Sequence, residues 1–140
     1  MGTTKMIEHK HLICRCEVLN PPMKHDLLFM HKWFKELVDE IGMKVLAGPF
    51  VEYLDVPGNR GFTGVCIIET SHIAIHVWDE DMPSLMQVDV YTCGSLDIHK
   101  VFSKMKDFNP LKIEYKFLDR VTNLNEVNTG VIDNSSIFLK

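Results

Sequence analysis

The chain has 140 residues, 46% of them hydrophobic and 24% charged, enough for one folded domain with a sizeable core. Its net charge of -4 argues against nucleic acid or an anionic membrane surface as the main partner, since both reward a basic excess. No apolar run approaches the ~20 residues of a membrane span, Met1–Lys10 is polar, and the four cysteines contain no C-x-x-C pair. The expectation is a soluble, reduced, cytoplasmic domain over 1–140, with no membrane or nucleic-acid partner.

Along the chain, His11–Val18 alternates as a strand, with Leu12, Cys14, Cys16 and Val18 on one face and Arg15 and Glu17 on the other. Asn20, Pro21 and Pro22 break it. Leu27, Met30, Trp33, Phe34, Leu37, Val38 and Ile41 then recur at helical spacing from about Asp26, and Gly42 stops the helix. Lys44–Leu54 reads as a strand, and Asp55–Gly61 carries loop chemistry in Pro57, Gly58, Asn59 and Gly61. Three strands follow at Phe62–Glu69, Ser71–Trp78 and Met86–Thr92, with Pro83 between the last two. Ser95 is expected to cap a second helix over Leu96–Phe108, ended by Asn109 and Pro110. Leu111, Ile113, Tyr115 and Phe117 alternate with Lys112, Glu114 and Lys116 in what reads as the last strand. The tail 122–140 is rich in Asn and reads as partly loose. This order predicts an α+β, two-layer fold with an antiparallel sheet and two helices on one face.

Two helices cover one side of such a sheet. Ile73, Ile75, Val77, Val88, Val90 and Thr92 belong beneath them. The other face carries His72, Ala74, His76 and Trp78 from one strand, and Gln87, Asp89, Tyr91 and Cys93 from its neighbour. That face must meet water or another subunit, and it collects the titratable groups. His72 and His76 share a side of their strand but lie roughly 13 Å apart, too far for one metal, and no metal is expected. Cys14 and Cys16 read as buried small hydrophobes.

The run from Gly61, Phe62, Thr63 and Gly64 through Glu69, Thr70, Ser71 and His72 to Ile75, His76, Val77, Trp78, Asp79 and Glu80 is distinctive, and Asp89, Val90, Tyr91, Thr92, Cys93 and Gly94 follow it. The ordered set resembles the small bacterial-type S-adenosylmethionine decarboxylase proenzymes, whose pattern runs G-V-[ST]-G, A-E-S-H, I-H-T-W-P-E and D-x-x-T-C-G. The resemblance covers about residues 8–118. It implies self-cleavage between Thr70 and Ser71, turning Ser71 into a pyruvoyl group, a ketone able to take the electron pair that carbon dioxide leaves behind. It implies His76 as the acid/base group of processing, Thr63 as a hydrogen-bonding partner of the cleavage intermediate, and Cys93 as proton donor to the product. Trp78 and Glu80 would shape the substrate pocket. It further implies a homodimer with active sites where the protomers meet, the open sheet face turned toward the partner. The product would be the aminopropyl donor for spermidine synthesis.

Two departures from the pattern stand out. Thr70 occupies the place of the family's Glu before the serine, with Glu69 one position earlier. The loop before Gly61 is longer, and either Tyr53, Phe62 or neither supplies the adenine-stacking ring. Alternatives are therefore the same chemistry on arginine or ornithine, or a non-catalytic, unprocessed relative acting as a binding or regulatory subunit.

Overall fold

Residues 8–133 are described by a computed structural model. Seven strands and two helices follow one another as β1 (Lys10–Val18), α1 (Leu27–Glu40), β2 (Val45–Leu54), β3 (Gly61–Ile68), β4 (Ser71–Trp78), β5 (Ser84–Thr92), α2 (Ile98–Met105), β6 (Pro110–Asp119) and β7 (Asn125–Asp133). The strands form one antiparallel sheet in the order β2-β3-β4-β5-β1-β6-β7. The expected α+β, two-layer arrangement is the one observed.

Alternation explains the layers. Leu12, Cys14, Cys16 and Val18 of β1, Ile73, Ile75 and Val77 of β4, and Met86, Val88 and Val90 of β5 are all at most 3% exposed. They form one core with Met30, Trp33, Phe34, Leu37 and Val38 of α1 and Val101, Phe102 and Met105 of α2. Trp33 packs on Phe108 with ring centroids 5.1 Å apart and donates its indole N–H to the Lys104 carbonyl at 3.3 Å, tying the helices together. Burying a large apolar side chain contributes about 1.5–3 kcal/mol, so this face supplies most of the stability.

Three expectations need correction. Asp97, not Ser95, caps α2: its carboxylate accepts the His99 N–H at 3.0 Å, and the helix starts only at Ile98. An ionised carboxylate is the stronger acceptor at a helix N-terminus. α2 also ends at Met105, and a single 3-10 turn, Lys106–Phe108, carries the chain to Asn109 in the left-handed region. The tail is not loose as far as Asp133, because Asn125–Asp133 pairs with β6 as β7 and becomes the sheet edge. The β6 segment is therefore not the last strand. The polar segment 1–7 and the end of the tail, 134–140, lie outside the described residues.

Candidate active site

Two glycines of the Gly61-to-Gly64 motif permit close approach. A Cβ at Gly61 would collide with the Val77 carbonyl of β4, and one at Gly64 would come within 2.6 Å of the Phe34 ring. β3 thus lies tightly between β4 and α1, with Thr63 facing the open side opposite His76.

The β3–β4 hairpin turns at Glu69 and Thr70, with Ile68 opposite Ser71. Ser71 sits at φ 145°, a conformation that costs a non-glycine residue about 1–3 kcal/mol and persists only where its surroundings enforce it. Ser71 keeps the parity of Ile73 and Ile75, opposite that of His72 and His76. The Thr70 carbonyl accepts the Cys93 backbone N–H at 2.8 Å, and the Glu69 N–H bonds the Lys44 carbonyl at 2.9 Å. The Thr70–Ser71 bond therefore joins a polarised carbonyl to a strained serine.

Further along β4 a second group assembles. Thr63 Oγ1 lies 3.4 Å from His76 Nδ1. Together with Leu54, Asn59, Gly61 and Trp78 they line a cavity of about 190 Å³. Trp78 donates its indole N–H to Asn59 Oδ1 at 2.9 Å. Glu80 accepts the Gly58 N–H at 2.9 Å and the Arg60 N–H at 3.3 Å. These two amides, with Arg60, hold its carboxyl below the usual range. Glu80 thus anchors the 55–60 loop over the cavity. Phe62 is fully buried under the helices, and Tyr53, its register partner on β2, donates to Asp79 at 2.8 Å. Trp78 is the aromatic side chain lining this cavity.

The structure brings Thr70, Ser71 and Cys93 together, and Thr63, His76 and Trp78 together, but holds the two groups apart. Four residues of extended strand separate Ser71 from His76, five steps or roughly 16 Å along β4. The open face also carries a groove of about 520 Å³, lined by Ala74, His76, Gln87, Asp89, Ile13 and Arg15 and by residues of β6 and β7.

One cluster was not anticipated. β1, β4 and β5 bring His11, His72 and Asp89 together, with one ligand atom from each within 4.8 Å of the others, the only such group among the described residues. Asp89 Oδ1 lies 2.8 Å from His11 Nε2 and 3.2 Å from His72 Nε2. Burial alone would raise the Asp89 carboxyl, but the two histidines outweigh it and hold it below its usual range. Arg120 Nη1 lies 3.2 Å from His11 Nδ1, and a guanidinium only donates. Nδ1 is therefore the acceptor and the His11 proton sits on Nε2, directed at Asp89. A metal held here would need the Nε2 lone pair, and Arg120 keeps the His11 proton from moving to Nδ1, so the arrangement suits a hydrogen-bond chain. The signal in sequence was weak because its members come from three strands.

The cysteines divide cleanly. Cys14, Cys16 and Cys66 are buried, and Cys93 is the half-exposed one. Burial, with a contribution from Asp89, pushes the Cys14 thiol up to about 12, and burial raises Cys16 and Cys66 as well. Cys93 alone of the four is open to solvent.

The sequence matches the family described as S-adenosylmethionine decarboxylase over residues 10–121. The chain belongs to that family. A S-adenosylmethionine decarboxylase proenzyme of Clostridium botulinum (strain Loch Maree / Type A3) is 30% identical over 56% of this chain. The match spans only 64% of that relative's length. One from Archaeoglobus fulgidus is 26% identical over 82% of this chain and 99% of its own. The crystal structure of the adenosylmethionine decarboxylase from Aquifex aeolicus aligns with a TM-score of 0.60 at 23% identity, covering 89% of this chain and 99% of that one, a likeness of fold. The S-adenosylmethionine decarboxylase match encloses Thr63, Thr70, Ser71, His76, Trp78, Glu80 and Cys93. No helix among the described residues is long and apolar enough to cross a membrane.

Proposed function

We propose that this chain is a proenzyme that cuts itself between Thr70 and Ser71 and then decarboxylates S-adenosylmethionine. The observation that carries the reading is the Cys93 N–H donated at 2.8 Å to the Thr70 carbonyl, beside a Ser71 at φ 145°. In the first step Ser71 Oγ attacks that carbonyl carbon. The C–O bond forms, the peptide C–N bond breaks, and the hydroxyl proton passes to the Ser71 nitrogen. The Cys93 N–H stabilises charge on the oxygen as the carbon becomes tetrahedral, and relief of the Ser71 strain favours the shift. Loss of the Ser71 Cα proton then expels Thr70 as a carboxylate, and water converts the resulting enamine to a ketone with release of ammonia. In the bond changes themselves Thr70 takes part through its carbonyl, so the absence of a glutamate there leaves the chemistry intact.

The residues present fit a pyruvoyl precursor: a strained serine, a polarised carbonyl before it and an accessible thiol next to that carbonyl's donor. The pyruvoyl group supplies the electron sink for decarboxylation. Cys93 holds on Sγ the proton that the product carbon takes. Trp78, lining the cavity, is suited to stack on an adenine, and Glu80 to meet ribose hydroxyls beside the amides it already binds.

His76 and Thr63 cannot reach the Ser71 of their own chain across roughly 16 Å of strand. We therefore assign a homodimer whose open sheet faces meet, with His76 and Thr63 of one protomer serving the Ser71 and Cys93 of the other. The exposed Ile13, Val65 and Ile67 on that face favour such burial.

Intact mass and labelled-carboxyl release test this together. Cleavage into residues 1–70 and 71–140, the second blocked at its N-terminus, with carbon dioxide released from S-adenosylmethionine, is expected. A chain that stays whole would overturn the reading in favour of an unprocessed relative. Cleavage with release only from arginine or ornithine would overturn the substrate.

A further inference from the structure

The turn that carries the scissile bond is held from a side that no mechanism yet uses. Met43, in the connection between α1 and β2, bonds the Val38 carbonyl through its own N–H at 2.9 Å, fixing it to the end of α1. Its thioether sulfur receives the Thr70 hydroxyl at 3.0 Å. The Thr92 hydroxyl, from the residue opposite Ser71 on β5, is directed at the same sulfur at 3.8 Å. The next residue, Lys44, accepts the Glu69 N–H at 2.9 Å. Two consecutive residues of one connection thus grip both residues of the turn.

We infer that Met43 is a positioning residue for self-cleavage, acting through the Thr70 side chain. The inference rests on the reading that the Thr70–Ser71 bond is cut. Its physical basis is that a β-branched residue has few χ1 wells, and anchoring Oγ1 selects one of them. A free threonine hydroxyl would instead compete for nearby backbone groups and offer the turn a looser conformation. In that conformation the Thr70 carbonyl leaves the Cys93 N–H and Ser71 relaxes. Met43 therefore does in this chain, through a hydroxyl–sulfur bond, what keeps a threonine in the pre-serine position productive. Nothing in the sequence pattern singles Met43 out, because it lies 27 residues from its partner on a different element.

The test follows cleavage of newly synthesised full-length chain over time by intact mass. Met43→Leu removes the sulfur and keeps the volume, and Thr70→Val removes the hydroxyl and keeps the shape. Each should slow cleavage about three- to tenfold, the weight of one hydrogen bond in a barrier. The double variant should be no slower than Met43→Leu alone, since loss of the sulfur already removes the Thr70 bond. Met43→Gln, which restores an acceptor oxygen at similar length, should recover most of the rate. Leu and Gln variants of equal thermal midpoint but different cleavage rate would support positioning. Unchanged cleavage in Met43→Leu, or a double variant whose slowing is the product of the two, would overturn it. Wild-type chain that never cleaves would overturn the proposed function itself, a result separable from the others because it needs no variant.

Discussion

Cys93 donates its backbone N–H to the carbonyl oxygen of Thr70 at 2.8 Å, so the end of β5 touches the peptide that the β3–β4 turn presents. The adjacent Ser71, at φ 145°, is the strained partner in this contact. Ser71→Ala should leave one uncut chain with no carbon dioxide release. Ser71→Gly should also stay uncut, yet be more stable than the alanine variant by about 1 kcal/mol, because glycine adopts positive φ without a Cβ clash. Denaturant unfolding of the two variants checks this, and equal stability would show that φ at this position carries no cost.

The separation of Ser71 from His76 along β4 makes a prediction about mixed dimers. His76→Ala alone and Ser71→Ala alone should each remain whole. Expressed together, the His76→Ala chains should be cut, because their Ser71 meets the intact His76 of a Ser71→Ala partner, whereas the Ser71→Ala chains should stay whole. Mass distinguishes the two chains. His76→Ala chains that remain uncut in the mixture would mean that the histidine does not act across the interface.

Cys93 is half-exposed, whereas Cys14, Cys16 and Cys66 are buried with raised thiol pKa values. A thiol reagent on native protein should modify Cys93 first, by peptide mass. Cys93→Ala should lower turnover by roughly 10²-fold, the weight of a positioned proton donor, and divert protonation away from the normal product. Full turnover with the normal product would remove the thiol from the mechanism.

Asp89 links His11 and His72 with its carboxyl held below the usual range. A depressed folded-state pKa means that the contribution to stability is present above the unfolded value, about pH 4, and is lost as pH falls through the folded value. Asp89→Asn should therefore destabilise the protein by about 1–2 kcal/mol near neutrality. The difference from wild type should shrink below pH 4. Urea titrations at pH 7 and pH 3 read the sign directly, and a gap that widens in acid would contradict the assignment.

Most of the fold was legible because the burial pattern is local. Cys14 and Cys16 fall under the helices, and His72 and His76 on the open face, because a strand alternates sides with period two whatever its neighbours. β7 escaped that logic. Val127, Thr129 and Val131 do alternate, but they stand among asparagines, and at the sheet edge Val127 and Val131 remain 54% and 62% exposed, so no buried face marks the strand. Asp97 and Ser95 can each cap a helix by residue type, and only the position of the first helical turn chooses between them.

The site divides in the same way. Thr63, Thr70, Ser71, His76, Trp78, Glu80 and Cys93 were legible through the resemblance that their ordered motifs carry. That Thr63 faces His76 depends on the β3–β4 register, and that Cys93 reaches Thr70 and His11 joins Asp89 and His72 depends on β4 and β1 flanking β5. Met43 reaches the cleavage turn only because α1 ends beside it. Sequence by itself determined which face each side chain takes, a matter of strand period. Tertiary structure decided which side chains meet, because strand order and register arise from pairings between distant segments that no local pattern encodes.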